Sequence, residues 1–263
     1  MADVVLEQAG KVFGADGGRV VALEELSLAI PERCFATVIG PSGCGKTTVL
    51  NLVAGLERRT SGAVRVAGRV VERPGPDRAV VFQDVALFPW LQVQDNIGFG
   101  LRVARLPERR VREKVDELLE TVGLTEFRRR YPAELSGGMR QRVSIARALA
   151  LDADVLLMDE PFGSLDAQTR GLMQEFLTGL WERRRVTVLF ITHDLDEALF
   201  LADRVFVLTA RPGRVKATLE VDLPRPRDVA MMASPRFHEL RDRARSLVRE
   251  EALKTMRPLA GQP

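Results

Sequence analysis

The chain has 263 residues, 46% hydrophobic and 29% charged. That is enough to bury one good core, or a core with a subdomain, and too apolar for a disordered polymer. Lys+Arg at 39 against Asp+Glu at 36 leave a net charge of +3, a small surplus that does not call for nucleic acid as a partner.

Cys34 and Cys44, the two cysteines, are too few for a disulfide framework or a metal cage and read as reduced thiols. Apolar runs such as Val155–Met158 and Val186–Ile191 fall far short of the roughly 18 residues a spanning helix needs. The N-terminal MADVVLEQAG has acids early and no basic segment ahead of an apolar stretch, unlike a signal peptide. A cytoplasmic chain that does not cross a membrane by itself is expected.

In chain order, the first third reads as strands and turns. Alternation at Val4–Leu6 is followed by a glycine-rich turn at Gly14–Gly18, a strand near Leu26–Ile30 and the apolar run Phe35–Ile39. After the loop Gly40–Gly45, Lys46–Ala54 has helical spacing and stops at Gly55, a residue suited to a left-handed C-cap. From Leu87 to Ala150 the texture is helical and rich in arginine, which reads as a helical subdomain inserted into a sheet domain. Its arginines, Arg109, Arg112 and Arg128 among them, are interleaved with Glu108, Glu113 and Asp116 and predict a solvated helix face.

Strands return at Val155–Met158, Val186–Ile191 and Arg204–Leu208, separated by helices at Ala167–Trp181 and Leu195–Leu201. That alternation belongs to a parallel α/β sheet. From Val221 onward Pro224, Pro226 and Pro235 interrupt the chain before a polar helix at Arg236–Leu253. An appendage is expected there.

The peptide GPSGCGKT at 40–47 fits the phosphate-loop pattern, placed between an apolar strand and a helix. Gly40, Pro41, Ser42, Gly43, Cys44 and Gly45 would turn backbone N–H groups toward phosphate oxygens at a helix N-terminus. Lys46 would reach the β and γ phosphates, Thr47 would ligate Mg²⁺, and Thr48 would add a weaker contact. Because Cys44 sits inside the loop, a thiol adduct is expected to block ATP. The strand VLLMDEP at 155–161 ends in two carboxylates. Beside a phosphate loop, Asp159 would hold Mg²⁺ through water and Glu160 would act on the attacking water.

The peptide LSGGMRQR at 135–142 resembles the signature of the ABC ATPase family, and further motifs follow in the family's order over nearly the whole chain to about residue 220. Gln83 in VVFQD resembles the Q-loop, Ser164, Leu165 and Asp166 the D-loop, and His193 in ITHD the switch histidine. The resemblance implies a phosphate-loop NTPase of the α/β class: a RecA-like parallel-sheet core with an antiparallel β subdomain and an inserted α-helical subdomain. The nucleotide-binding domain would span 1–220, with its core at 1–86 and 154–220 and the helical part at about 87–153; a tail would cover 221–263.

It also implies the division of labour. Glu160 polarises water, His193 contacts the γ phosphate, and Gln83 links Mg²⁺ to the membrane partner. Leu135, Ser136, Gly137 and Gly138 contact ATP held by a second copy of the chain. Met139 stands where the family often has glutamine. Phe13 in KVFG falls where the family stacks an aromatic ring on adenine; a core aromatic at a strand end is the other reading.

Finer likeness, in residues 74–101, DEPFGSLDAQTR at 159–170 and RPGRV at 211–215, is to the nitrate, sulfonate and taurine importer branch, taurine first, with nitrate, bicarbonate or a pyrimidine precursor as the alternative solutes of the same branch. That branch implies integral permease subunits, an external solute-binding protein and a peripheral place on the cytoplasmic side of the membrane. Phe88, Pro89 and Trp90 would line the groove that receives the permease. A soluble ABC ATPase working on nucleic acid is the reading from another class, and it normally carries fused halves or long inserts.

Overall fold

The computed structural model describes residues 2–14 and 18–256; the centre of the glycine-rich turn expected at Gly14–Gly18 lies outside them. The chain begins with β1 (Val4–Phe13), β2 (Val20–Ile30), β3 (Phe35–Ile39), α1 (Lys46–Ala54), β4 (Ser61–Val66), β5 (Arg69–Val70) and β6 (Arg78–Val81). A helical stretch follows: α2 (Val93–Val103), α3 (Glu108–Thr121) and α4 (Gly137–Leu149). The alternating part comprises β7 (Val155–Asp159), α5 (Ala167–Arg184), β8 (Thr187–Ile191), α6 (Leu195–Leu201), β9 (Arg204–Leu208) and β10 (Val215–Glu220), and α7 (Pro235–Met256) ends it.

Two sheets form. One has the order β2-β1-β4-β5, with every pairing antiparallel. The other runs β10-β9-β3-β8-β7-β6 and is parallel except for the edge strand β10. The strands β3, β7 and β8 are buried at every position, as a parallel sheet covered on both faces requires.

Side chains alternate across that sheet between two cores. Val38, Leu157 and Ile191 point to the side that holds α1 and the antiparallel sheet. Ile39, Met158 and Phe190 point to the side that holds the buried residues of α4, α5 and α6. The result is a phosphate-loop α/β fold, with the helices α2–α4 between β6 and β7 in sequence. The arginines of that helical stretch pair with carboxylates on the surface, Arg109 with Glu113 at 2.9 Å and Arg128 with Asp116 at 2.8 Å.

Expectation and structure part in three places. Strand β2 starts at Val20, earlier than expected, and β4, β5, β6 and β10 were not expected as strands, although β10 (VKATLE) alternates apolar and polar residues. They are edge or half-exposed strands whose exposed positions hold residues such as Arg69 and Glu220. The third is the tail, which is docked and not an appendage. Phe237, Leu240 and Ala244 of α7 are buried in the main core. Ahead of α7, the buried Arg227 guanidinium donates to the carbonyls of Leu199, Phe200 and Ala202, satisfying the orphan acceptors at the end of α6. Arg225 lies 4.1 Å from the Trp181 ring and bonds Asp203 at 2.7 Å.

Candidate active site

Strand order places the chemistry. The strands β3, β8, β7 and β6 are parallel neighbours, so their C-terminal ends open on one edge, where α/β sheets hold ligands. The loop Gly40–Gly45 follows β3, His193 follows β8, Glu160 follows β7 and Gln83 follows β6. Four segments far apart in sequence thus meet because Val38 pairs Ile191, Asp159 pairs Ile191 and Val81 pairs Met158.

The loop after β3 depends on its glycines. Gly43 and Gly45 have φ of 73° and 101°, left-handed values that L side chains rarely adopt. A Cβ on Gly45 would lie 2.7 Å from Leu23 Cδ2. The Lys46 ammonium turns back along the loop and donates to the carbonyls of Gly40 and Pro41 at 3.0 and 3.2 Å. A nearly buried cation is thereby held where the N-terminus of α1 begins, a setting that favours an anion.

Thr47 donates its hydroxyl to Asp159 Oδ1 at 3.3 Å. Asp159 is buried, and burial pushes its carboxyl above the usual range; Glu160 adds to this, while the Thr47 hydrogen bond and Lys46 oppose it. Glu160 stands at φ 42°, an uncommon value for a non-glycine residue. Its N–H donates to Ile191 O at 2.9 Å, and its Oε2 lies 2.9 Å from His193 Nδ1.

A cleft of about 330 Å³ opens over the loop, lined by Ser42, Gly43, Gly45, Lys46, Thr47 and Thr48 together with Phe13 and Glu160. Phe13 ends β1 with its ring 37% exposed and Lys11 Nζ 4.6 Å from its centroid. Val20, Ala22 and Arg211 also line the cleft; sequence reasoning missed them. Arg211 sits in the turn between β9 and β10, and the signal for it is the peptide RPGRV at 211–215, which in the sequence marks likeness to the branch and no site. Gln83 is exposed and lies outside the cleft lining.

Cys44 corrects an expectation. It is 1% exposed and belongs to the core on the α1 side of the sheet; its Sγ is 2.9 Å from where a Gly40 Cβ would stand. The thiol faces inward, so its adduct would not simply fill the phosphate space, and burial raises its pKa against the pull of Lys46.

The signature forms a second, separate patch. Ser136 caps α4, its hydroxyl accepting from Met139 N at 3.3 Å, and the helix starts at Gly137. Gly137 and Gly138 lie against α5 and the turn before it: a Cβ on them would come within 3.3 Å of Leu165 Cδ2 and 2.9 Å of Thr169 Cγ2. Asp166 caps α5 by accepting from Thr169 N at 2.9 Å, while Ser164 is exposed. None of residues 135–138 or 164–166 lines the phosphate-loop cleft.

A third feature is an apolar groove of about 460 Å³ whose lining includes Leu56, Pro74, Phe82, Phe88, Phe99 and Leu151. Trp90 beside it is 70% exposed, its ring 5.6 Å from that of Phe88, which also packs on Phe99 at 4.5 Å. Asn96 fixes this segment: its Oδ1 accepts from Phe88 N, and its Nδ2 donates to the carbonyls of Phe88, Leu91 and Gln92.

A glycine loop joining a buried parallel strand to a helix, with a carboxylate pair at the next-but-one strand end, defines a phosphate-loop nucleotide-binding protein. The sequence profile described as ABC transporter matches residues 23–163. The taurine import ATP-binding protein TauB of Rhizobium johnstonii is 48% identical over 92% of this chain and 95% of its own length. The nitrate import ATP-binding protein NrtD of Synechococcus elongatus is 49% identical over 89% and 87%. Among solved structures, the dimeric post-hydrolysis state of the ATP-binding cassette MJ0796, bound to ADP and Pi, superposes with a TM-score of 0.72 at 29% identity. It covers 84% of this chain and 100% of that one. The chain belongs to the ABC transporter family and is an ATP hydrolase of it.

Proposed function

We propose that the chain is the ATP-hydrolysing subunit of an importer for a small anion, taurine or another sulfonate. The observation that carries the chemistry is the contact of Glu160 with His193 beside the Thr47 hydroxyl and the buried Asp159 it bonds, at the mouth of the phosphate-loop cleft. In this reading Lys46 and the loop N–H groups of Gly40–Thr48 hold the phosphates of ATP, and Phe13 stacks on adenine. Glu160 takes the proton of the attacking water, and His193 orients Glu160 and meets the γ phosphate. Gln83, at the end of β6, links the cleft to the helical side.

Thr47 and Asp159 suit Mg²⁺: both are oxygen donors, and the desolvated Asp159 carboxyl gains from a cation nearby. The ion would neutralise charge on the phosphates, with Gln83 completing its surroundings. Among the described residues no cluster of three acidic, histidine or cysteine side chains could cage a metal, which accords with a site that Mg²⁺ shares with ATP and water.

The signature, Leu135–Gly138, lies off the cleft of its own chain, and this supports a dimer in which it covers the nucleotide of a second copy, with Ser164–Asp166 at the joint. The groove at Phe82, Phe88 and Phe99 is the docking surface for permease subunits. No helix among the described residues is long and apolar enough to cross a membrane, in keeping with a peripheral place on the cytoplasmic face. The nucleotide-binding domain is then 1–220 and the tail 221–263, with an external binding protein delivering solute to the permease.

Import, as against another ABC role, is supported by the likeness to named import ATP-binding proteins over about nine-tenths of the chain. The test is uptake of taurine, an alkanesulfonate and nitrate in cells lacking the chain, restored with wild type or Glu160→Gln. Restoration of taurine or alkanesulfonate uptake by wild type alone is expected. Nitrate uptake alone would move the solute to the other relative, and no effect on any of the three would remove the assignment to this importer branch while leaving the ATPase standing.

A further inference from the structure

Among the described residues, two cationic side chains line the cleft. The roles above use one of them, Lys46 in the loop; the other is Arg211. Its Nε donates to Gly43 O at 3.1 Å, and one terminal nitrogen lies 3.0 Å from where a Gly43 Cβ would stand. One guanidinium edge is thus fixed on the phosphate loop itself, while Arg211 lines the cleft and is exposed. A guanidinium presents five N–H donors in a planar fork, so the bond to Gly43 leaves most of them for an anion.

The turn that carries Arg211 is clamped from two sides. On the cleft side Gly213 donates to Ala22 O at 2.9 Å, and a Cβ on Gly213 would fall 2.2 Å from Cys44 O. The turn therefore touches the phosphate loop so closely that only glycine fits. On the far side Ala210 N donates to Glu251 Oε2 at 3.1 Å. Glu251 comes from α7, is 1% exposed, and is held by Lys216 at 2.9 Å and Lys254 at 2.6 Å. A buried carboxylate of the C-terminal helix thus fixes the residue next to Arg211.

We propose that Arg211 is an additional nucleotide-binding residue that contacts the phosphate chain of ATP and ADP, and that Glu251 is its positioning residue in the tail. The inference rests on the nucleotide cleft of the proposed function and adds to it a contact from outside the phosphate loop, the signature, the Q-loop, the D-loop and the switch histidine. The tail thereby acquires a role, because α7 sets nucleotide affinity through Ala210 and Arg211, with Glu251 and Ala210 41 residues apart in sequence.

The test is equilibrium binding of ADP and of a non-hydrolysable ATP analogue to the full chain, with apo melting measured alongside. Arg211→Ala is expected to weaken both nucleotides about tenfold, the scale of one charge-assisted hydrogen bond. Arg211→Lys should restore part of the loss, since it keeps the charge and loses the fork. Glu251→Ala should weaken binding about threefold in the wild-type background and not at all beside Arg211→Ala, because coupled residues are non-additive. Glu251→Gln keeps an acceptor for Ala210 N–H, so it should lower melting while preserving affinity.

Wild type that binds normally, with Arg211→Ala within twofold of it, would overturn this inference and leave the proposed function standing. An equal loss from Glu251→Ala in both backgrounds would overturn the positioning role. Wild type that binds neither nucleotide would sink both readings.

Discussion

Glu160 Oε2 and His193 Nδ1 stand 2.9 Å apart, joining the ends of the adjacent parallel strands β7 and β8. The backbone prepares the contact: Glu160 N bonds Ile191 O, and its φ of 42° turns the side chain out of the strand direction. Neither residue has a structural role of comparable weight there, since His193 is exposed and the core beneath is complete without it.

Replacing Glu160 by Gln therefore removes the base while keeping the shape. Turnover should fall at least about 100-fold, within the range for loss of general base catalysis, while ATP affinity changes less than about threefold. His193→Ala should lower turnover less and leave binding in place. Phosphate release in single-turnover assays, set beside nucleotide titrations, reads both; a Glu160→Gln enzyme turning over at the wild-type rate would remove Glu160 from the chemistry.

Asp159 gives a prediction about stability. Its folded pKa is raised above the ordinary 3.8, with burial the leading cause. A raised acid pKa means that ionisation costs the folded state free energy, a cost absent below 3.8 and fully present above the folded value. Asp159→Asn should thus make the nucleotide-free chain more stable at pH 7, with the gain vanishing at acid pH. Its ATPase should fall by about 100-fold or more, since a Mg²⁺-orienting group is lost. Urea unfolding at about pH 7 and again below the ordinary carboxylate pKa of 3.8 checks the first half; a destabilised variant at neutral pH would contradict it.

Much of this was legible in the sequence for definite reasons. The runs Phe35–Ile39 and Arg204–Leu208 and the helices at Lys46–Ala54 and Leu195–Leu201 coincide with elements of the structure, because buried parallel strands and capped helices, with Gly55 after the first and Asp194 before the second, leave strong local marks. The meeting of Gly40–Thr48, Glu160 and His193 followed from motifs. The strands β6 and β10 sit at sheet edges and β4 opens on the exposed Ser61 and Gly62, so tertiary pairing decides them more than local preference. Arg211 and the inward turn of Cys44 escaped because both depend on contacts far apart in sequence, Arg211 on the packing of its turn against the loop and Cys44 on the core that α1 shares with the antiparallel sheet.

The thiols should behave as buried groups. Burial drives Cys34 up to about 12, and Cys44 is raised by the same cause. Thiolate is the reactive form, so a disulfide reagent at about pH 8 should label less than one thiol per chain in the native state and two after unfolding. Fast native labelling of Cys44 that ATP prevents would show the thiol facing the cleft after all.

Trp90 tests the groove. At 70% exposed it can be shortened without opening a cavity, and it lies away from the nucleotide cleft. Trp90→Ala should keep the ATPase of the isolated subunit within about twofold and lower solute uptake about tenfold, the scale of an aromatic interface anchor. Loss of isolated ATPase would instead assign Trp90 to folding.

Glu251 provides the sharpest pH signature. Burial pushes its carboxyl up, but the bonds from Lys254, Lys216 and the Ala210 N–H outweigh it and hold the pKa at about 2, against an ordinary 4.5. A depressed acid pKa stabilises the fold above the unfolded value, and that contribution is lost as pH falls through the folded one. At about 1.36 kcal/mol per unit the ceiling is roughly 3 kcal/mol. Glu251→Gln, which cannot ionise, should be less stable than wild type at pH 7 by an amount below that ceiling. The gap should close as pH drops from 4.5 toward 2, followed by urea midpoints. A gap that persists unchanged at low pH would mean that the side chain acts through its shape in the core, and that the lysines around it add nothing through charge.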